Sequence, residues 1–153
     1  MIADRVIRYI YQQTWIQKSI PYLILIWTLL IVYLTLFPSE SIISSKLFSY
    51  DKLGHFGMFG GWTGLIGLYY LIYKRNYHAP LLIIMITGVL FGGFIELMQY
   101  LLPYDRHGNI YDIIANTLGC LTAYFILNFL RINLLRVSRS ESSTSQASVT
   151  MKN

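Results

Sequence analysis

The chain alternates between long apolar runs and short polar segments. Four runs carry no charge, or a single charge, over enough residues to cross a bilayer: 19–37, 53–73, 80–102 and 113–130. A helix needs about 20 apolar residues, at about 1.5 Å rise each, to span the hydrocarbon core. The pattern therefore predicts an all-α, polytopic membrane protein with four transmembrane helices in an antiparallel bundle.

The segments that flank these runs differ in character. Residues 1–18 mix apolar and charged positions, which predicts a short amphipathic helix at the membrane interface. The first apolar run begins late and has no Ala-x-Ala cleavage site, so we expect it to be retained rather than removed as a signal peptide. Residues 132–153 are rich in Ser and Thr, which predicts a disordered tail after the transmembrane domain of residues 19–131.

Composition and charge set the class of protein and its orientation. The chain has 153 residues, of which 55% are hydrophobic and 12% charged, and its mean hydropathy is +0.50. These values exclude an ordinary soluble domain, and four spans leave no room for a separate catalytic domain. The net charge of +5 indicates orientation rather than nucleic-acid binding, because the basic residues cluster before the first run, between the second and third, and after the fourth. The positive-inside rule then predicts cytoplasmic N and C termini.

One acidic residue lies inside the third apolar run. An ionisable group at membrane depth is costly and marks a candidate functional site, so Glu96 is the first such candidate. Helical spacing places Gln99 on the same face as Glu96, and it places Asn116 on the same face as Asp112. Counted from the end of its run, Glu96 lies about 9 Å below the outer boundary. We expect polar groups from three helices, His55 among them, to meet at the outer end of the bundle.

Small residues accompany these polar positions. The second run contains the pairs Gly57/Gly61 and Gly60/Gly64, and the third run contains Gly88 and Gly92. Small residues one helical turn apart let helix backbones approach closely in a membrane. The glycines therefore predict tight packing, and their faces are also candidates for forming a homo-oligomer.

The polar positions also form an ordered signature, which is Asp51-Lys52-x-x-His55-Phe56-x-x-Phe59, then Glu96-x-x-Gln99, then Arg106, Asp112, Asn116 and Gly119. Over about residues 20–131 this signature resembles the VanZ-like family of small integral membrane proteins. The resemblance implies a multi-pass protein of the bacterial cytoplasmic membrane. The founding member is associated with low-level resistance to teicoplanin, so the resemblance also implies a link to the cell envelope and to antibiotic resistance. Asn109 stands where many members have a small hydroxyl residue.

The chemistry of these residues leaves several functions open. As an enzyme, the protein would use His55 and Glu96 as acid and base, with Asp112 orienting His55. Binding roles are expected for the remaining polar positions, with cations holding an anion and amides donating hydrogen bonds: Asp51, Lys52, Gln99, Arg106 and Asn116. The expected partner is a membrane lipid or a lipid-linked cell-wall precursor, and no nucleic acid.

Two further interpretations compete with catalysis. The same pocket could bind its ligand without chemistry, or the polar groups could bridge the helices as a structural network. A metal held by Asp51, His55, Glu96 and Asp112 is a variant of the enzyme. Because the chain has no His-x-x-x-His or His-Glu-x-x-His spacing, the sequence favours neither a metal nor another cofactor.

Overall fold

The computed structural model describes the backbone of residues 13–36, 47–102 and 109–150, and the side chains of 13–36, 51–102 and 109–136. Within these ranges four α-helices follow one another: α1 (Thr14–Leu36), α2 (Leu47–Leu68), α3 (Leu81–Leu101) and α4 (Ile110–Thr150). A π-helical turn, Tyr69–Tyr73, continues α2. The described ranges contain no strand, as expected for an all-α protein. Arg106 and the predicted interfacial segment up to residue 12 lie outside these ranges.

Three helical segments are long and apolar enough to cross a membrane: Thr14–Leu36, Leu81–Leu101 and Ile110–Arg136. Helix α2 is not among them, because its polar first turns and its glycines lower its hydropathy. A membrane protein with three candidate spans is therefore established, and the count of four stays a prediction.

The ends of two helices differ from the sequence-based boundaries. Helix α1 begins at Thr14, so residues 14–18 continue into the apolar helix without a break. The backbone of α4 is helical through Thr150, whereas the sequence predicts disorder from residue 132. Residues 132–150 contain neither Gly nor Pro, and the Ser and Thr that fill them lower helix propensity only modestly.

Burial is inverted relative to a soluble protein. Large apolar side chains face outward, and Leu90 of α3 is 67% exposed. On the same helix Glu96 is only 3% exposed. Contiguous exposed apolar surface with buried polar groups is the arrangement expected where lipid is the solvent.

The interior contains two apolar clusters at different levels of the bundle. One takes its residues from the start of α1, the π-helical turn, the start of α3 and the later part of the spanning α4; it includes Ile20, Leu71, Ile84 and Leu127. The other joins the later part of α1, the first half of α2, the later part of α3 and the first half of α4, through Ile31, Phe59, Ile95 and Cys120. The sequence-predicted polar positions adjoin the second cluster, where the ring of His55 stacks on Phe59 with centroids 6.3 Å apart.

Helices α2 and α4 approach each other closely where two glycines face. A Cβ on Gly60 would lie 2.9 Å from the carbonyl oxygen of Gly119, and a Cβ on Gly119 would overlap the carbonyl oxygen of Phe56. The predicted small-residue pairs contribute unequally, because a Cβ on Gly57 or Gly64 would meet nothing within 4 Å. Backbone contact between α2 and α4 therefore depends on Gly60 and Gly119.

Substitution of Gly119 by Ala should destabilise the fold. The new methyl group meets backbone rather than a movable side chain, and overpacking of this kind costs about 1–3 kcal/mol. The matched control is Gly64→Ala, which enters open space and gains up to about 1 kcal/mol of helix propensity. Thermal unfolding of both variants in detergent micelles measures the difference. Equal midpoints for Gly119→Ala and Gly64→Ala would contradict the close approach.

Candidate functional site

Six polar side chains from α2, α3 and α4 gather at one level of the bundle. We call this set the polar cluster, and its members are Asp51, Lys52, His55, Glu96, Asp112 and Asn116. Four of them are buried, with exposed fractions of 1–6%: His55, Glu96, Asp112 and Asn116. The structure thus brings together the groups that helical spacing placed on separate inward faces.

His55 is the centre of the polar cluster. Its Nδ1 lies 3.1 Å from Oδ1 of Asn116 and 3.3 Å from Oε1 of Glu96. One residue from each of α2, α3 and α4 therefore meets at a single ring nitrogen. Such a contact links three helices through buried side chains.

The glycines that carry the close helix approach lie one turn from these polar residues. A Cβ on Gly92 would lie 3.0 Å from the Cβ of Asn116, so the missing side chain lets α4 come near Glu96. Gly119, one turn after Asn116, meets the backbone of Phe56, the residue after His55. The short distances at His55 are therefore a consequence of where small residues occur along α3 and α4.

The surroundings of Nδ1 determine which ring nitrogen carries a proton. Glu96 places a carboxylate oxygen beside Nδ1, and Asn116 places an acceptor oxygen there. A lone pair on Nδ1 would face the Glu96 oxygen whichever way the Asn116 amide is turned. With Glu96 ionised, Nδ1 is the donor, and the neutral ring then holds its lone pair on Nε2.

The opposite side of the ring faces the edge of the bundle. Nε2 of His55 is 4.0 Å from Oδ1 of Asp51, whose side chain is 55% exposed. Lys52 lies beside it with Nζ 3.9 Å from Oδ1 of Asp112, and its side chain is 30% exposed. Asp51 and the aliphatic part of Lys52 thus form a partly exposed rim beside the buried His55, Glu96 and Asn116, whereas the Lys52 ammonium is itself buried.

Glu96 also contacts the start of α4. Its Oε2 accepts a hydrogen bond of 3.2 Å from the backbone N–H of Asn109. The Asn109 side chain in turn accepts from the backbone N–H of Tyr111 at 3.0 Å, which is the geometry of a helix N-cap. The carboxylate of Glu96 therefore lies at the positive end of the α4 dipole. An Asn directly before an apolar helix is a recognisable capping signal, so this role of Asn109 can be found from the sequence.

Two residues have contacts that the sequence did not predict. Asp112 was expected to orient His55; it lies within 4.8 Å of the ring and pairs with Lys52, while Glu96 is the carboxylate beside Nδ1. Gln99 was expected in the binding pocket, but its Nε2 donates a 2.9 Å hydrogen bond to the backbone carbonyl of Thr35. Gln99 therefore connects α3 to α1 instead of contacting His55.

Some hydrogen-bonding capacity in the polar cluster is unused. Among the described residues, Oε1 of Glu96, Oδ1 of Asp112 and Nδ2 of Asn116 have no hydrogen-bond partner, although all three atoms are buried. Buried polar atoms without partners are uncommon, and each one costs free energy. The polar cluster thus retains atoms that a bound group can satisfy.

A cavity of about 240 Å³ lies away from the polar cluster. Its walls come from the end of α2, the π-helical turn and the start of α3, namely Ile66, Tyr70, Pro80, Ile83, Ile84 and Thr87. None of these side chains carries a charge. The cavity contributes nothing to the arrangement around His55.

Comparison with known proteins decides the family. A family model described as VanZ/LLP1 matches residues 12–131. The chain belongs to the VanZ/LLP1 family. The match confirms the resemblance on which the polar signature was interpreted, and it includes every residue of the polar cluster. Searches of curated proteins and of solved structures found no match.

The contact between His55 and Glu96 should appear as coupling in a double-mutant cycle. His55→Gln and Glu96→Gln each remove one partner, and the double variant should lose less stability than the sum, with a coupling of about 0.5–3 kcal/mol. Unfolding by a denaturing detergent from mixed micelles provides the free energies.

The control cycle for this VanZ/LLP1 protein pairs His55→Gln with Gln99→Ala. Gln99 is buried on the same helix as Glu96 but bonds to Thr35, so its effect should add to that of His55→Gln. Additive behaviour in the Glu96 cycle, or equal coupling in both cycles, would contradict the site geometry.

Proposed function

We propose that this VanZ/LLP1 protein binds or modifies an anionic component of the bacterial cell envelope at the polar cluster. The component is a lipid headgroup or a lipid-linked wall precursor. The observation that carries the proposal is that the exposed Asp51 and the partly exposed Lys52 adjoin buried polar groups. Among the described residues, Oε1 of Glu96 and Nδ2 of Asn116 there have no hydrogen-bond partner. A rim that is exposed beside an apolar, lipid-facing surface suits a ligand that is itself anchored in the membrane.

The rim supplies the contacts that an anion requires. Lys52 is ion-paired to Asp112 at 3.9 Å and also lies 5.8 Å from the ring centroid of Tyr111. In the proposed complex the Lys52 ammonium pairs with a phosphate or carboxylate of the ligand. Arg106, whose structure lies outside the described residues, is proposed as a second cation. Asn116 is proposed as a hydrogen-bond donor through its amide nitrogen.

The proposal includes a topology. All four helices span the bacterial cytoplasmic membrane in alternating directions, both termini are cytoplasmic, and the polar cluster faces outward. The two apolar clusters support alternation, because each draws on opposite ends of successive helices. The basic residues Lys74 and Arg75, which follow the π-helical turn, support a cytoplasmic position for that loop. The glycopeptide link of the founding member makes an effect on teicoplanin susceptibility part of the same proposal.

A second candidate function is a membrane hydrolase or transferase. It is favoured by the fixed direction of the His55 ring, whose Nε2 lone pair faces the accessible rim. In this mechanism Nε2 takes a proton from water or from an acceptor hydroxyl, and Glu96 stabilises the resulting imidazolium from the other side. Water or a second substrate would be the nucleophile. The described Cys120 does not serve as one, because its buried Sγ accepts a hydrogen bond from Thr63 at 3.2 Å.

Single-cysteine labelling tests the topology. In a Cys120→Ser background, cysteines at Ser44 and at the exposed Ile110 should react with an impermeant maleimide from outside the cell. A cysteine at His78, in the loop before α3, should react only after the membrane is opened. Labelling of Ile110→Cys from the cytoplasmic side alone would reject an outward-facing cluster.

Loss of the polar cluster should abolish function without loss of folded protein. The measurement is how far each variant restores the envelope lipid profile of a deletion strain. Glu96→Gln, His55→Ala and Asp112→Asn should each give less than about one-tenth of the restoration that wild type gives. Double variants should lower it little further. Thr122→Ala is the matched control, because Thr122 is an exposed polar residue of α4 that bonds only to its own helix among the described residues.

The outcome separates three interpretations. Purified protein incubated with labelled lipid-linked precursors yields a product if it is an enzyme, and it retains the precursor unchanged if it is a binding protein. If the three variants fail to accumulate as folded protein while Thr122→Ala accumulates normally, the polar cluster is a structural network and the proposed function is rejected.

A further inference from the structure

Three potential metal ligands converge at the rim of the polar cluster. A carboxylate oxygen of Asp51, a ring nitrogen of His55 and a carboxylate oxygen of Asp112 all lie within 4.8 Å of one another. We propose that these three residues bind a divalent transition-metal ion such as Zn²⁺, with Nε2 as the His55 ligand. The inference does not require an envelope substrate, because it concerns the metal alone.

The direction of the His55 ring is the first support. Nδ1 is committed to the inner side, beside Asn116 and Glu96, so the lone pair of the neutral ring lies on Nε2. Nε2 faces Asp51 at 4.0 Å. A lone pair directed at carboxylates is unfavourable unless a cation or a proton lies between them. The ring is thus oriented for a positive charge at this position.

Asp112 is the second and independent support. Its side chain is 6% exposed in a bundle that offers little water, and Oδ1 has no hydrogen-bond partner among the described residues. The ammonium of Lys52 lies 3.9 Å away and also contacts the face of Tyr111. A buried carboxylate oxygen at this distance from its cation retains the capacity to coordinate a metal directly.

Glu96 provides the outer support that metal-binding histidines usually have. Such a histidine donates its other ring N–H to a carboxylate or carbonyl, which fixes the tautomer and raises ligand basicity. Here Glu96 and Asn116 occupy that position at 3.3 Å and 3.1 Å from Nδ1. The same contacts that join three helices therefore prepare Nε2 as a ligand.

The donor set indicates the class of metal. One imidazole and two carboxylates suit Zn²⁺ or a neighbouring first-row ion, and two negative ligands balance its charge. Zinc bonds to these atoms are about 2.0–2.2 Å long, so the ligands must draw together from their present spacing. Asp51 is free to do this, because its side chain is 55% exposed. Three protein ligands leave a position open for water or for an anion.

The charges around the site favour a cation on balance. Asp51, Asp112 and Glu96 face His55 from three helices, while Lys52 is the positive side chain that the structure places beside them. The sequence offered these three residues and Glu96 as possible ligands, and it favoured no metal because the spacing is unfamiliar. The structure separates Glu96, which lies on the Nδ1 side of the ring, from the group of three.

Metal binding by the tag-free, full-length protein in detergent tests the proposal. After removal of metal by a chelator, Co²⁺ should give the visible absorption of a low-symmetry N/O site, and Zn²⁺ should displace it at one ion per chain. His55→Gln and Asp112→Asn should weaken Zn²⁺ binding by about 100-fold, as read by competition with a chromophoric chelator. Glu96→Gln keeps all three ligands and should weaken it by about 10–100-fold. His78→Gln, at an exposed loop position, should bind like wild type.

Two controls keep the result decisive. Helical circular dichroism and gel filtration show whether the variants of buried residues are folded, and Asp51→Asn changes an exposed ligand without disturbing the interior. Asp51→Asn should weaken Zn²⁺ binding by about tenfold or more.

The proposal is overturned if wild type binds no stoichiometric Zn²⁺, or if His55→Gln, Asp112→Asn and Asp51→Asn bind it as well as His78→Gln does. If nitrogen-15 NMR of metal-treated protein shows both His55 nitrogens protonated, the positive charge is a proton and the proposal is likewise overturned.

Discussion

The buried carboxylate of Glu96 is the constraint on which the rest of the structure depends. A charge in an apolar bundle is tolerated only where fixed partners replace water. One Glu96 oxygen receives the backbone N–H of Asn109, and the other faces Nδ1 of His55. These two contacts form only when α2, α3 and the first turn of α4 lie next to one another. The polar cluster is thus part of how the helices are arranged, as well as the candidate site.

Close packing makes those contacts possible. Gly60 and Gly119 let the backbones of α2 and α4 touch, and Gly92 gives Asn116 room beside α3. Each glycine lies about one turn from a polar residue of the cluster. The helices therefore approach most closely beside the polar side chains that contact each other. Outside this region, lipid rather than a buried apolar core receives most large side chains. Glycine substitutions are therefore expected to affect the site through distance, without changing its chemistry.

The sequence was sufficient for the family, for the helices and for the faces that carry Glu96 and Asn116. Helical period predicts those faces because it depends only on residue spacing. It does not predict contacts: Asp112 proved to pair with Lys52, and Gln99 with the carbonyl of Thr35. Both outcomes depend on the rotation and rise of one helix against another, which no single helix encodes. The capping role of Asn109 could have been found from its local sequence, whereas its bond to Glu96 is a tertiary contact that spacing along one helix does not show.

The imidazole of His55 lies between the rim and the buried carboxylate of Glu96. Its outer nitrogen faces the rim, and its inner nitrogen faces the carboxylate that also holds the first turn of α4. A positive charge on or beside Nε2 would attract the Glu96 carboxylate, which lies 3.3 Å from Nδ1. The same carboxylate accepts the backbone N–H of Asn109. Only two contacts therefore separate the rim from the segment where α4 leaves its preceding loop.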